Sequence, residues 1–120
     1  MKNADNVAIT TSFSDGSVGL ITYLACGDKL LPKESIEIFG GGKTFIINDF
    51  RAADVYLNGK CKKIKAPGKG HMEEVGLFAR SIREGRPSPI PLESILYTTA
   101  TTFRILDSLR TALPQSIDIP

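Results

Sequence analysis

The hydrophobic period of this chain changes once, near Gly70, and that switch limits its possible folds more than any other feature. Before it, apolar and small residues alternate: Val7, Ile9, Thr11 and Phe13 are interleaved with Ala8, Thr10 and Ser12. A period of two is that of a strand. After it, Met72, Val75, Phe78, Ala79 and Ile82 fall on one helical stripe. Strands followed by helices imply an α+β fold. The expected architecture is a mostly antiparallel open β-sheet with two C-terminal helices packed on one face. Neither an internal repeat nor a composition shift divides residues 1–120, so one domain is expected.

Turn chemistry sets the expected registers. Asp15-Gly16 is a strong hairpin signal. Taken as a two-residue loop, it pairs Phe13 with Val18, Thr11 with Leu20, Ile9 with Thr22 and Val7 with Leu24. The opposite face then carries Ala8, Thr10, Ser12, Gly19, Ile21 and Tyr23. A face of small and mixed residues suits a flat contact, although a partly solvated sheet face is equally ordinary. Thr10, Ser12, Gly19, Ile21 and Tyr23 are therefore the candidate oligomer interface. Asn58-Gly59 marks a further hairpin, in which Tyr56 meets Cys61 and Asp54 meets Lys63.

The stretch IFGGGKTFIIND, residues 38–49, looks like a phosphate-binding loop. A P-loop reads G-x-x-x-x-G-K-[ST] and opens a helix. Here the first glycine position is Glu37, and Phe45, Ile46 and Ile47 make a poor helix start. Without a helix N-terminus no row of free N–H groups meets a phosphate. A hairpin explains the glycines better. With Gly41-Gly42 as a two-residue loop, Ile38 faces Phe45 and Ile36 faces Ile47, which collects four large apolar side chains on one side.

The first helix has Glu73 and Glu74 in its first turn, suited to the helix dipole, and Gly85 followed by Pro87 as its stop. The second runs from about Leu92 to Leu113, with Ile95, Thr99, Thr102, Leu106, Leu109 and Leu113 as its expected buried side. Ser116 to Ile119 alternate as a short last strand. Lysines 60, 62, 63, 65 and 69 crowd the region around the last hairpin. They suit an acidic sugar or phosphate, but an edge strand guarded against aggregation is the favoured reading.

Several function classes have no support. The net charge of +2 does not call for nucleic acid. No apolar run reaches the roughly 18 residues of a membrane span. The only cysteines, Cys26 and Cys61, fit a reducing, cytoplasmic setting. One histidine and two scattered cysteines do not build a zinc site. His71 alone makes no persuasive Ser-His-Asp arrangement, and no G-x-G-x-x-G is present. No catalytic, cofactor-binding or metal-ligating residue is assigned.

The run KGHMEEVGLFARSIREGRPSPIPLESILYTTATTFRILDSLRTA, residues 69–112, resembles the closing segment of the Gfo/Idh/MocA oxidoreductase family. The matching positions are Glu73 or Glu74, Phe78, Ser81, Ile82, Gly85, Pro87, Ser108, Arg110 and Thr111. Upstream, DNVAITTSFSDGSVGLITY resembles the family's strand–Asp-Gly–strand hairpin, and ESIEIFGGGKTFIIND resembles its E-x-x-x-x-G-x-x-G hairpin. The stretch LPKESIEIFGGGKTFIINDFR is most similar to dehydrogenases of bacterial polysaccharide clusters, some of them fused to a zinc alcohol-dehydrogenase-like region.

The resemblance implies a two-domain parent. An N-terminal Rossmann domain binds NAD(P), and a C-terminal α/β domain with a large open sheet meets a sugar or cyclitol in the cleft between them. This chain matches only the later part of the second domain, with Met1 expected at a domain boundary. The family's glycine fingerprint, its Glu-Lys-Pro lysine and its proton-transfer residue have no counterpart here; Lys33 follows Pro32 in the wrong order. The implied role is the substrate-side and oligomerisation domain of an NAD(P)-dependent dehydrogenase. The fragment itself is expected to bind no cofactor, to lack catalysis, and to form a homodimer. A free-standing, non-catalytic interaction module of the same fold is the alternative.

Overall fold

The computed structural model describes residues 5–118. Six strands precede two helices: β1 (Asn6–Ser12), β2 (Val18–Leu24), β3 (Ser35–Gly40), β4 (Lys43–Asn48), β5 (Ala52–Leu57), β6 (Lys60–Lys65), α1 (His71–Glu84) and α2 (Leu92–Thr111). The fold is α+β and its sheets are antiparallel. The strands form two sheets, a β1–β2 hairpin and a meander in the order β3-β4-β5-β6. The chain gathers into two compact units. One comprises Thr22–His71 with the start of β1, the other Ala8–Ile21 with the residues from Met72 onward.

In the first unit, β3–β6 follow the turn chemistry. Gly41 and Gly42 sit at φ 54° and 71°, and Ile36 pairs with Ile47 and Ile38 with Phe45. The glycines therefore make a hairpin, and a strand rather than a helix follows Lys43. Asn58 and Gly59, at φ 51° and 71°, make the second mirror-image turn, with Tyr56 opposite Cys61 and Asp54 opposite Lys63. One face of the meander carries Ile36, Ile38, Phe45, Ile47, Val55 and Ile64. The other carries Glu37, Ile46, Asp54 and Lys63 as one cross-strand row.

The β1–β2 hairpin departs from the expected register by one residue. Phe13 N–H donates to Ser17 O at 2.9 Å, and Gly16 N–H donates to Phe13 O at 3.0 Å. Three residues, Ser14 to Gly16, form the loop, with Gly16 at φ 85°. This is the three-residue alternative for such loops, a turn closed by a left-handed glycine. Ser17 N–H donates to the Asp15 carboxylate at 2.9 Å and fixes the turn. That hydrogen bond, with one to the Ser17 side chain, holds the Asp15 carboxyl below its ordinary value. Thr11 thus lies opposite Gly19. A Cβ on Gly19 would come within 2.6 Å of Thr11 Oγ1, so this close cross-strand approach needs glycine.

In the second unit, α1 ends as its sequence predicts. Gly85, at φ 62°, donates to Ile82 O at 3.3 Å, and Arg86 N–H donates to Ser81 O at 2.9 Å. This is the paired 5→2 and 6→1 bonding of a Schellman stop. α2 ends at Thr111, two residues before the expected Leu113, and its cap residue Ala112 is left-handed. Its inner side also differs from expectation. The half-buried residues include Thr101, Ile105, Ser108 and Leu109, whereas Ile95, Thr99, Thr102, Leu106 and Leu113 are exposed. Both stripes obey helical spacing, so periodicity alone could not choose between them. Residues 116–118 are irregular, not a strand; Ile119 lies outside the described residues. Among the described residues none is fully buried, and Leu20, Leu30, Met72, Leu92 and Phe103 are prominently exposed.

Candidate functional site

The densest polar cluster stands at one end of the β3–β6 meander. Three segments converge there: Glu34 just before β3, Asp49–Arg51 between β4 and β5, and the chain leaving β6 at Ala66. Antiparallel pairing places these three points together. The backbone stitches them: Asp49 N–H donates to Glu34 O at 2.7 Å, and Ala66 N–H donates to Arg51 O at 2.9 Å.

Lys69 closes the cluster. Its Nζ lies 2.6 Å from Glu34 Oε2 and 2.6 Å from Asp49 Oδ1. The second oxygen of Asp49, Oδ2, takes Arg51 Nε at 3.2 Å. Lys69 and Asp49 are half-buried, while Arg51 is open to solvent. Lys69 holds the Asp49 carboxyl below its ordinary range, and Asp49 and then Glu34 hold the Lys69 ammonium above its own. A lysine so paired stays charged at neutral pH. It is neither a nucleophile nor a general base. The arrangement is an electrostatic clasp.

The backbone beneath the clasp is unusual. Asp49 and Phe50 both have positive φ, at 51° and 53°, and Arg51 N–H donates to Asn48 O at 2.9 Å. Such mirror-image turns favour Asn and Gly, and an aromatic residue there is a genuine outlier. Strain of this kind persists only when surrounding structure over-determines it. Here the Asp49 amide and both of its carboxylate oxygens are engaged. Glu34 and Lys69 lie 35 positions apart in the chain. No local sequence signal announced the clasp beyond the membership of Lys69 in the lysine-rich stretch.

The clasp should depend on pH at both ends. The Asp49 carboxyl is depressed from 3.8, so its contribution is present above that value and is lost as pH falls through the lower folded value. Lys69 is raised from 10.5, so its contribution is present below that value and is lost as pH climbs through the higher folded one. Amide exchange at Asp49 and Ala66, corrected for intrinsic rates, should accelerate outside this window and stay flat within it. Lys69→Met should move the Asp49 titration upward, towards its ordinary value, as followed by carboxyl NMR. An unmoved Asp49 would show that Lys69 does not engage it in solution.

The residues expected to form an interface do not share one surface. With Thr11 opposite Gly19, the face of Val7, Ile9 and Thr11 includes Gly19, Ile21 and Tyr23. Thr10 and Ser12 lie on the reverse, beside the exposed Val18, Leu20 and Leu24. A one-residue change of register turns a strand's side chains to the other face, and this divides the five.

His71 is the exposed first residue of α1. Cys26 and Cys61 are free and exposed, so the two are not joined. Tyr56, opposite Cys61, has its phenol held above its ordinary value by that thiol and then by Asp54. Lys60, Lys62, Lys63 and Lys65 stand on β6, an outer strand of the meander, with every residue exposed. Among the described residues no group of histidine, cysteine and carboxylate side chains could hold a metal ion, and no helix is long and apolar enough to cross a membrane. Comparison with family models, curated proteins and solved structures returns no match.

Proposed function

We propose that the chain is the later, substrate-side and oligomerisation part of the second domain of a cytoplasmic NAD(P)-dependent oxidoreductase acting on a sugar or cyclitol hydroxyl. The Rossmann domain that would bind the cofactor is a separate part of that parent. Catalysis belongs to the parent, and the fragment alone turns over nothing.

The observation that carries this reading is the order of elements on which the resembling motifs fall. The Asp-Gly motif turns β1 into β2. The glycine motif turns β3 into β4, with Glu34 just ahead of it. Gly85 stops α1 in a left-handed turn, and Arg110-Thr111 close α2. The exposed apolar side chains outside α2, among them Leu20, Leu30 and Met72, add support, because a part of a larger domain leaves surface that the remainder covers. The clasp has a structural place in this reading: it holds together the end of the meander from which the chain departs towards α1.

The test is the natural gene. The frame upstream of Asn3 is expected to encode a strand, a glycine-rich loop and a helix. Its full-length product should reduce NAD or NADP with a sugar or cyclitol, as followed by absorbance of the reduced nicotinamide. An in-frame stop immediately before Met1, with no companion gene for a cofactor domain, would overturn the proposal in favour of a free-standing interaction module.

A further inference from the structure

α2 carries a second apolar stripe on the side away from its half-buried residues. Leu92, Leu96, Thr99, Phe103, Leu106 and Arg110 follow one another at intervals of four and three. That alternation is the heptad spacing of a seam between two helices. Every one of the six is exposed, Phe103 by 63% and Leu92 by 68%. The half-buried Thr101, Ile105, Ser108 and Leu109 lie well round the helix from them, while the half-buried Ala100 and Asp107 flank the seam. Single exposed apolar residues need no explanation, but a continuous seam along a helix of about 30 Å does.

We propose that this seam docks the same seam of a second copy of the chain, with the two α2 helices antiparallel. Three features select that occupant. The first is shape. A twofold axis at the middle of the seam sets Leu96 against Leu106 of the second copy and Thr99 against its Phe103, so that each ring lies over a small residue.

The second is polar satisfaction. Thr99 is the one polar residue within the seam's centre, and its hydroxyl already donates to Ile95 O at 2.8 Å. Covering it strands no hydrogen-bonding group.

The third is charge. The same register brings Glu93, in the first turn, beside Arg110 of the second copy, in the last turn, and does so twice. Asp107 holds Arg110 in place at 3.0 Å, and its aliphatic stem covers Leu92. Antiparallel helices also oppose their macrodipoles favourably. A parallel arrangement would set Glu93 against Glu93 and Arg110 against Arg110. This contact does not rest on the oxidoreductase reading, because its residues and its partner are all in this chain.

Sedimentation equilibrium of the full chain tests it, with far-UV circular dichroism to verify helix content in each variant. The parent is expected to be a concentration-dependent dimer, and Phe103→Glu a monomer of unchanged helicity. Glu93→Arg and Arg110→Glu should each weaken association by about tenfold, since each replaces two attractive pairs with two repulsive ones. The double variant Glu93→Arg/Arg110→Glu should associate more tightly than either single variant, short of the parental affinity because the new carboxylate then stands beside Asp107 of its own chain. A monomeric parent overturns the proposal. So does a dimer indifferent to Phe103→Glu, which would place the contact on another surface, and so does a double variant no stronger than the singles. Should Phe103→Glu lose helicity, Leu96→Lys replaces it, with the same two outcomes.

Discussion

Valine at Gly41 or Gly42 is expected to loosen the β3–β4 hairpin by roughly 1–3 kcal/mol at each position, because a β-branched residue must then adopt a left-handed backbone. Both glycines have positive φ, at 54° and 71°. A Cβ at either would meet no atom within 4 Å, so the effect is backbone strain and not a clash. Hydrogen exchange reads such local stability directly, and protection across Ile36–Ile47 should fall about 5- to 160-fold for either variant. Gly40 supplies the control. It ends β3 opposite Lys43, its φ is not positive, and an added Cβ there also meets open space. Gly40→Val should change protection little. If all three valines behaved alike, the glycines would serve something other than the turn. The pairing of Ile36 with Ile47 and Ile38 with Phe45 would then need another cause.

The same glycines show what the sequence could disclose. Gly-Gly and Asn-Gly each fit one turn type that fixes a register, and β3–β4 and β5–β6 follow those registers. Asp-Gly is less restrictive. It fits a two-residue loop or the end of a three-residue one, and Gly16 adopts the second. That single residue moved Gly19, Ile21 and Tyr23 to the face opposite Thr10 and Ser12. The α2 helix was legible as a helix, yet its inner side was not. Ile95, Thr99, Thr102, Leu106 and Leu109 make one periodic stripe, and the half-buried Thr101, Ile105, Ser108 and Leu109 make another. A helix with apolar residues on two sides has no unique inward face until its neighbours are known. The clasp was the least legible feature. Its charges come from three distant segments, and the turn that carries Asp49 has phenylalanine where turn chemistry calls for glycine or asparagine.

Phe50 therefore offers a test whose sign opposes the usual rule. At an ordinary strand or helix position glycine is less stable than alanine by roughly 0.5–1 kcal/mol, because it loses more backbone freedom on folding. At φ 53° the balance reverses. A residue with a Cβ pays about 1–2 kcal/mol for the left-handed conformation, and glycine does not. Phe50→Gly should accordingly be more stable than Phe50→Ala by about 1 kcal/mol, the strain relieved less the added chain entropy. Both variants remove the same aromatic ring, so whatever the half-exposed ring contributes cancels in the comparison, and the difference reports the backbone alone. The readout is exchange at the Arg51 amide, which donates to Asn48 O across the turn. A Phe50→Gly variant more stable than the parent would show that the strain outweighs the ring's contacts. A Phe50→Ala variant as stable as Phe50→Gly would mean that residue 50 is not held left-handed in solution. The clasp of Glu34, Asp49 and Lys69 would then close over a relaxed turn, and loss of its charges at low pH would leave the β4–β5 connection unchanged.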